Sequence, residues 1–245
     1  MNRYQMQLSY KGTRFFGWQR QPKAISVQEE IEKALSTILR EEIAVVGAGR
    51  TDTGVHASFY VLQFDVSVEI QDTEKLVYNL NRFLPDDIAI QKINGVNNDF
   101  HARFSAISRT YKYYISTVKD PFTNETSYQF TVPIDMEKMN EAAKAMFDYT
   151  DFTSFAKLHT DVKTNNCKIF QAEWERRGNQ LVFTIKADRF LRNMVRAIVG
   201  TLLEVGKGKI TIDDFRKIIE LKNRGAAGTS APPQGLFLVD IGYNA

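Results

Sequence analysis

IAVVGAGRTDTGVHASFYVLQFDV, residues 43–66, reads as strand, glycine-rich loop, strand. IAVVG (43–47) is a short apolar run, and SFYVLQFDV (58–66) is rich in β-branched and aromatic residues. Working outward, RYQMQLSY (3–10) alternates apolar and polar residues and reads as a strand. Ser26 opens a helix, with Glu29 three residues on as a capping box. Val27, Ile31, Ala34, Leu35 and Ile38 form one apolar stripe at helical spacing. On the other side, TEKLVYNLNRFL (73–84) is a helix with Leu76, Leu80 and Phe83 on one face, stopped by Pro85. IAIQKINGV (88–96) is a strand. The order is β-α-β-β-α-β.

The same order returns in the second half. TYKYYISTV (110–118) is a strand, MEKMNEAAKAMF (136–147) a helix, and KIFQAEWER (168–176) with LVFTIKAD (181–188) a hairpin through Gly178-Asn179. RFLRNMVRAIVGTLLEVG (189–206) reads as a long apolar helix, IDDFRKIIELKN (212–223) as an extra one, and GLFLVDIGY (235–243) as the last strand. The repeat is one of element order, not of letters. The expected class is α+β. Two split-βαβ halves of ferredoxin or RRM type, 1–104 and 105–245, would join edge to edge into one mostly antiparallel sheet with helices packed on it. No low-complexity linker separates them, so packed halves are expected rather than tethered ones.

The chain has 245 residues, 43% of them hydrophobic and 25% charged, the balance of a globular protein with a sizeable core. MNRYQMQLSY (1–10) has no apolar run of the length a signal peptide uses, and no stretch approaches a membrane span. The single cysteine, Cys167, cannot form an internal disulfide. It sits in an alternating stretch and reads as a half-buried thiol. A cytoplasmic protein is expected. The histidines are His56, His101 and His159, and no cluster offers the four ligands of a structural zinc site, so no metal is expected. His56 and His101 are candidates for acid–base work, more simply read as structural hydrogen-bonding groups.

GAGRTDTG is not a dinucleotide fingerprint, because Asp52 stands where the third glycine should be, and it lacks the Gly-Lys-Ser/Thr of a P-loop. Asp52-Thr53-Gly54 resembles the catalytic turn of aspartic proteases, but those need two carboxylates, and a second copy could come only from a homodimer. What remains is one carboxylate, Asp52, near one guanidinium, Arg50. A fixed cation would keep the carboxylate ionised, able to act as nucleophile or base or to stabilise a developing cation. Gly54 would allow a sharp turn and close substrate approach. The plainer alternative is an Asx-type turn with a surface ion pair.

Net charge is only +3, so the placement of cations matters more than their number. YKGTRFFGWQRQ (10–21) mixes Lys11, Arg14 and Arg20 with Phe15, Phe16 and Trp18. FHARFSAISRTYKYY (100–114) mixes His101, Arg103, Arg109 and Lys112 with Phe104, Tyr111, Tyr113 and Tyr114. The helix expected from 189 would begin with Arg189, Arg192 and Arg196 on one face. Cations there oppose the helix dipole, at a cost of about 0.3–1 kcal/mol, so another purpose such as phosphate binding is expected. Cations interleaved with aromatics suit single-stranded or flipped bases.

These blocks, with FLRNMVRAIVG (190–200) and SAPPQGLFL (230–238), resemble in order and spacing the tRNA pseudouridine synthase A family over nearly the whole chain, with the GRTD loop as the most specific element. The resemblance implies isomerisation of uridines on the 3′ side of the tRNA anticodon arm, with no cofactor, metal or ATP. It implies a homodimer and an active-site cleft between the two halves. Carried over by position, Asp52 would be the catalytic aspartate and Arg50 would hold it through a salt bridge. Tyr111 would stack on the target base, and Leu236 would help close the pocket. Arg14, Arg20, Arg103, Arg189, Arg192 and Arg196 would grip RNA. The competing reading is a non-catalytic RNA-binding protein of two RRM-like halves, but SFYVLQFDV lacks the aromatic signature such a strand carries.

Overall fold

A computed structural model describes residues 1–157 and 164–244; His159 lies outside them. The described residues form nine strands and five α-helices, an α+β fold whose pairings are mostly antiparallel. The chain divides into two compact units, Met1–Ile107 with Leu238–Ala245, and Ser108–Phe237. The first break lies three residues past the boundary expected after residue 104. The last strand, β9 (Leu236–Tyr243), starts in the second unit and finishes in the first.

The first unit contains β1 (Asn2–Tyr10), α1 (Val27–Leu39), β2 (Val45–Gly47), β3 (His56–Val66), α2 (Thr73–Phe83) and β4 (Ile88–Gly95). Its strands run β4-β1-β3-β9, with β2 against the free stretch of β3. Tyr4, Met6, Leu8 and Tyr10 alternate into the core along β1, as the period of two requires. Ser26 caps α1 by accepting from the Glu29 N–H at 3.2 Å. The return half of the expected capping box is not among the bonds of the described residues: the Glu29 carboxylate lies 3.7 Å from Arg20 instead. Asp72 caps α2 by accepting from the Lys75 N–H at 2.8 Å. Leu76 and Leu80 are buried as expected, but Phe83, the last residue of the helix, is 45% exposed.

Residues 97–105 are tied to polar side chains of this sheet. Arg3 grips Asp65 through Nε and Nη2 at 2.8 and 2.9 Å. Its Nη1 donates to the carbonyls of Asn98 and Phe100 at 2.7 and 2.9 Å. Buried Gln63 accepts from the Ala102 N–H at 2.6 Å, and the Tyr243 hydroxyl donates to the Ala102 carbonyl at 2.7 Å. A connection that reads as loop is thereby held by side chains of β1, β3 and β9.

The second unit is built on β5 (Ala106–Ser116), β8 (Gln180–Ala187) and β7 (Ile169–Arg177), paired in that order, with β6 (Tyr128–Gln129) running parallel beside β5. That parallel pair was not expected from the sequence: two residues carry too little periodicity to read. The β7–β8 hairpin turns at Gly178-Asn179, as expected. Its helices are α3 (Met136–Ala145), α4 (Met194–Gly206) and α5 (Ile212–Glu220). Asn140 on α3 bonds both the carbonyl and the N–H of Trp174, at 3.0 and 2.7 Å, satisfying backbone groups of the strand at the sheet edge. α4 is buried along almost its whole length.

One expectation fails at α4. The helix begins at Met194, not at 189, because Asn193 adopts a left-handed conformation with φ of 65°. Arg189 and Arg192 therefore precede the helix. Only Arg196 lies in its first turn, so the three arginines do not share a helical face, and the dipole argument applies to Arg196 alone.

Candidate active site

Residues 48–55 join β2 to β3 and carry Arg50 and Asp52. The loop is held on both flanks. The Ala48 N–H donates to the Val61 carbonyl at 2.9 Å, continuing the β2–β3 ladder. The buried Tyr60 hydroxyl donates to the Gly49 carbonyl and accepts from the Gly49 N–H at 3.4 Å. The Tyr10 hydroxyl and Thr51 Oγ1 share a hydrogen bond of 2.8 Å, and Thr51 is buried. Past Asp52 the chain turns back: the Val55 N–H donates to the Asp52 carbonyl at 3.1 Å, and Gly54 supplies a φ of 77°. A turn of type II needs a positive φ at that third position, which fits glycine there.

The segment after β1 forms a strap against this loop. Trp18 N–H donates to the Thr51 carbonyl at 3.2 Å, and Gly54 N–H to the Phe15 carbonyl at 3.4 Å. Gly17 makes the approach possible: a Cβ there would lie 2.5 Å from the Thr51 carbonyl oxygen. Trp18 stacks on Tyr60 at 4.1 Å between ring centroids, and Tyr10 meets Tyr60 edge-on at 5.6 Å. The aromatics of the 10–21 stretch thus divide. Phe15 and Trp18 are core residues supporting the loop, while Phe16 is exposed.

On this frame Asp52 is half-buried and Arg50 is exposed. The salt bridge expected between them is not among the ion pairs of the described residues. His56 is buried, and its Nδ1 accepts from the Gly12 N–H at 2.9 Å, a structural bond between strap and β3. His101 Nδ1 accepts from the N–H groups of Arg103 and Phe104, both at 3.2 Å, and its ring packs against Phe104. Phe104 itself is exposed, with the Arg103 guanidinium 5.5 Å from its ring centre.

In the second unit, half-buried Tyr111 on β5 meets the ring of Phe190 edge-on at 5.1 Å. Leu236 is buried at the start of β9. The block before it is pinned by the Tyr113 hydroxyl, which donates to the Pro232 carbonyl at 2.7 Å. Burial pushes the Tyr113 hydroxyl pKa far up, so it stays protonated as a donor.

The candidate RNA-gripping arginines have varied surroundings. Arg14 pairs with Asp87 at 2.7 Å, and Arg20 lies 3.7 and 3.6 Å from Glu29 and Glu32. Arg189 is half-buried and follows Asp188, whose carboxylate accepts from the Arg189 N–H at 2.7 Å. Arg192 is exposed. Arg196 Nε donates to the Ala231 carbonyl at 2.7 Å, binding α4 to the segment before β9. Cys167 is more buried than expected, and burial pushes its thiol up to about 12, which removes it as a thiolate nucleophile near neutral pH. Among the described residues no group of three His, Cys, Asp or Glu side chains could hold a metal ion, and no helix is long and apolar enough to cross a membrane.

Tyr10 and Tyr60 are the site residues that sequence reasoning missed. Tyr10 ends an alternating strand and Tyr60 lies inside one, so both read as ordinary core positions. Only their hydroxyl bonds to the loop mark them out.

Known proteins resemble this chain over nearly its whole length. The model of a family described as tRNA pseudouridine synthase matches residues 7–105 and 142–244. The chain is 59% identical over 244 residues to the tRNA pseudouridine synthase A of Bacteroides fragilis, covering 99% of this chain and 97% of that one. It is 58% identical over 243 residues to that of Parabacteroides distasonis, covering 99% and 96%. It is 41% identical over 241 residues to that of Bacillus subtilis, covering 97% of each. The chain belongs to the tRNA pseudouridine synthase family.

Proposed function

We propose that this protein isomerises uridine to pseudouridine in tRNA, with Asp52 as its catalytic carboxylate. The observation that carries the assignment is one half-buried aspartate in a loop braced by tyrosine hydroxyls, in a chain of this family. The reaction breaks the C1′–N1 bond of uridine, turns the uracil and joins C1′ to C5. The C5 proton is lost and N1 gains one, so nothing is oxidised or consumed. An ionised carboxylate serves this by attacking uracil C6 or by acting on the ribose at C1′ or C2′. The target leaves its stack to reach the site, at a cost of a few kcal/mol that is least near the end of a stem. The anticodon arm suits that requirement.

Tyr111 is proposed to stack on the target uracil and Leu236 to close the pocket around it. Arg50, exposed two residues from Asp52, is available to a substrate phosphate. Arg14, Arg20, Arg103, Arg189, Arg192 and Arg196 are proposed to contact tRNA. Arg14 and Arg20 would exchange carboxylate partners for phosphates. A cytoplasmic homodimer working without metal or cofactor completes the proposal.

The test is tritium release. An unmodified tRNA transcript carrying tritium at uracil C5 is incubated with the purified protein, with Asp52→Ala in parallel. Release by wild type alone is expected. No release from tRNAs that the protein nevertheless binds would leave the loop a structural turn and the protein an RNA-binding one.

A further inference from the structure

Four bonds hold the residues immediately before Asp52, and three of them come from two buried hydroxyls. Tyr60 closes on both the carbonyl and the N–H of Gly49, and Tyr10 holds the Thr51 side chain at 2.8 Å. The fourth is the Trp18 N–H to the Thr51 carbonyl. Arg50 lies between the two anchored residues and is exposed, and Asp52 follows directly. Both tyrosines stand on strands, and their rings pack against each other and Trp18. A loop with glycine at 49 has many backbone conformations open to it, and a polar bond from a fixed strand selects one of them.

We propose that Tyr60 and Tyr10 are positioning residues for Asp52: their hydroxyls fix the backbone of Gly49 and the side chain of Thr51, and through them the place of the carboxylate. The proposal rests on the catalytic reading of Asp52. It assigns to the chain a support for the reacting group that lies beneath the loop and need not touch RNA. Tyr60 is the stronger support, because one hydroxyl serves two backbone groups of a single residue. Rate depends steeply on such placement: displacement of a reacting group by about 1 Å can cost 100-fold.

The experiment compares Tyr60→Phe, Tyr10→Phe and Thr51→Val with wild type, measuring tRNA Kd and the single-turnover rate of tritium release at saturating enzyme. Phenylalanine keeps the ring contacts and deletes only the hydroxyl. Tyr4→Phe is the control. It removes a hydroxyl from the same strand, one that accepts from the Ile70 N–H at 2.9 Å and does not bond the loop. The expected result is a fall of about tenfold or more in rate for Tyr60→Phe, a smaller fall for Tyr10→Phe, and Kd within about twofold of wild type. Thr51→Val and Tyr10→Phe together should cost no more than either alone, since each breaks the same bond. Tyr4→Phe should keep the wild-type rate. Full rates in the loop-facing variants, a rate loss matched by an equal loss of affinity, or an equal loss in Tyr4→Phe would each overturn the proposal. Should Tyr60→Phe not fold, the Tyr10–Thr51 pair decides the matter alone. Asp52→Asn run beside them separates the two levels: if it stays active, the catalytic reading has failed, whatever the tyrosine variants do.

Discussion

Asp52 and Arg50 are two residues apart and meet different surroundings. Thr51 between them is anchored inward, Arg50 is exposed, and Asp52 is half-buried. The two are therefore expected to fail differently when replaced. Asp52→Asn keeps the shape and hydrogen-bonding reach of the side chain but removes its charge. It should lower the rate by about 10²- to 10⁴-fold. Its melting temperature should stay within about 2 °C of wild type, since a loop substitution outside the core changes stability by less than about 0.5 kcal/mol. A drop of ten degrees would mean that the carboxylate holds the loop together. Arg50→Ala should weaken tRNA binding severalfold and flatten the salt dependence by the equivalent of about one phosphate contact, with the rate at saturation little changed. A lower rate at unchanged affinity would return Arg50 to a role acting through Asp52.

Among the elements, the segment before α4 separates two arginines that look alike in the sequence. Arg196 is tied to the chain by its bond to the Ala231 carbonyl, whereas Arg192 is exposed in the turn that precedes the helix. Arg196→Ala should therefore cost about 1.5–3 kcal/mol of stability, the net worth of a hydrogen bond made by a charged group. Arg192→Ala should reduce the slope of log affinity against log salt by about 0.7–0.9. An affinity unchanged at every salt concentration would take Arg192 off the RNA surface. The elements themselves were largely legible: Ser26 and Pro85 mark helix ends that the structure keeps within a residue, because caps act through neighbours in sequence. The start of α4 was not legible. The apolar pattern runs on through Phe190 and Leu191, and nothing local announces that Asn193 will be left-handed. The site divides the same way. Asp52 and Gly54 stand out by residue type, but Tyr10 lies 41 residues from the Thr51 it holds, and only the β1–β3 pairing brings them together.

For the molecule as a whole, a net charge of +3 hides an acid-sensitive set of carboxylates. The hydrogen bond from Arg3 holds Asp65 below the ordinary carboxylate range, against the opposing effect of its burial. Asp135 is lowered chiefly by the backbone N–H of Lys138, at the start of α3, and Asp214 chiefly by that of Thr211, at the start of α5. Asp151 is lowered chiefly by the Thr153 hydroxyl. In each case the folded state favours the ionised form more than the unfolded chain does. The stability these groups contribute is complete above the unfolded value, near 3.9 for aspartate, and is lost as pH falls through the lower folded values. The protein should therefore hold a level melting temperature from neutral pH down to about 5 as far as these groups are concerned, and lose it below about 4. Asp65 gives the sharpest test, because Arg3 also fastens the Asn98 and Phe100 carbonyls and loses its partner when Asp65 is neutral. Asp65→Asn should melt below wild type at pH 7, and the gap should narrow as the pH falls below the unfolded aspartate value and through the lower folded value of Asp65. A gap that stays constant across that range would show that the Arg3–Asp65 pair contributes by shape and packing alone.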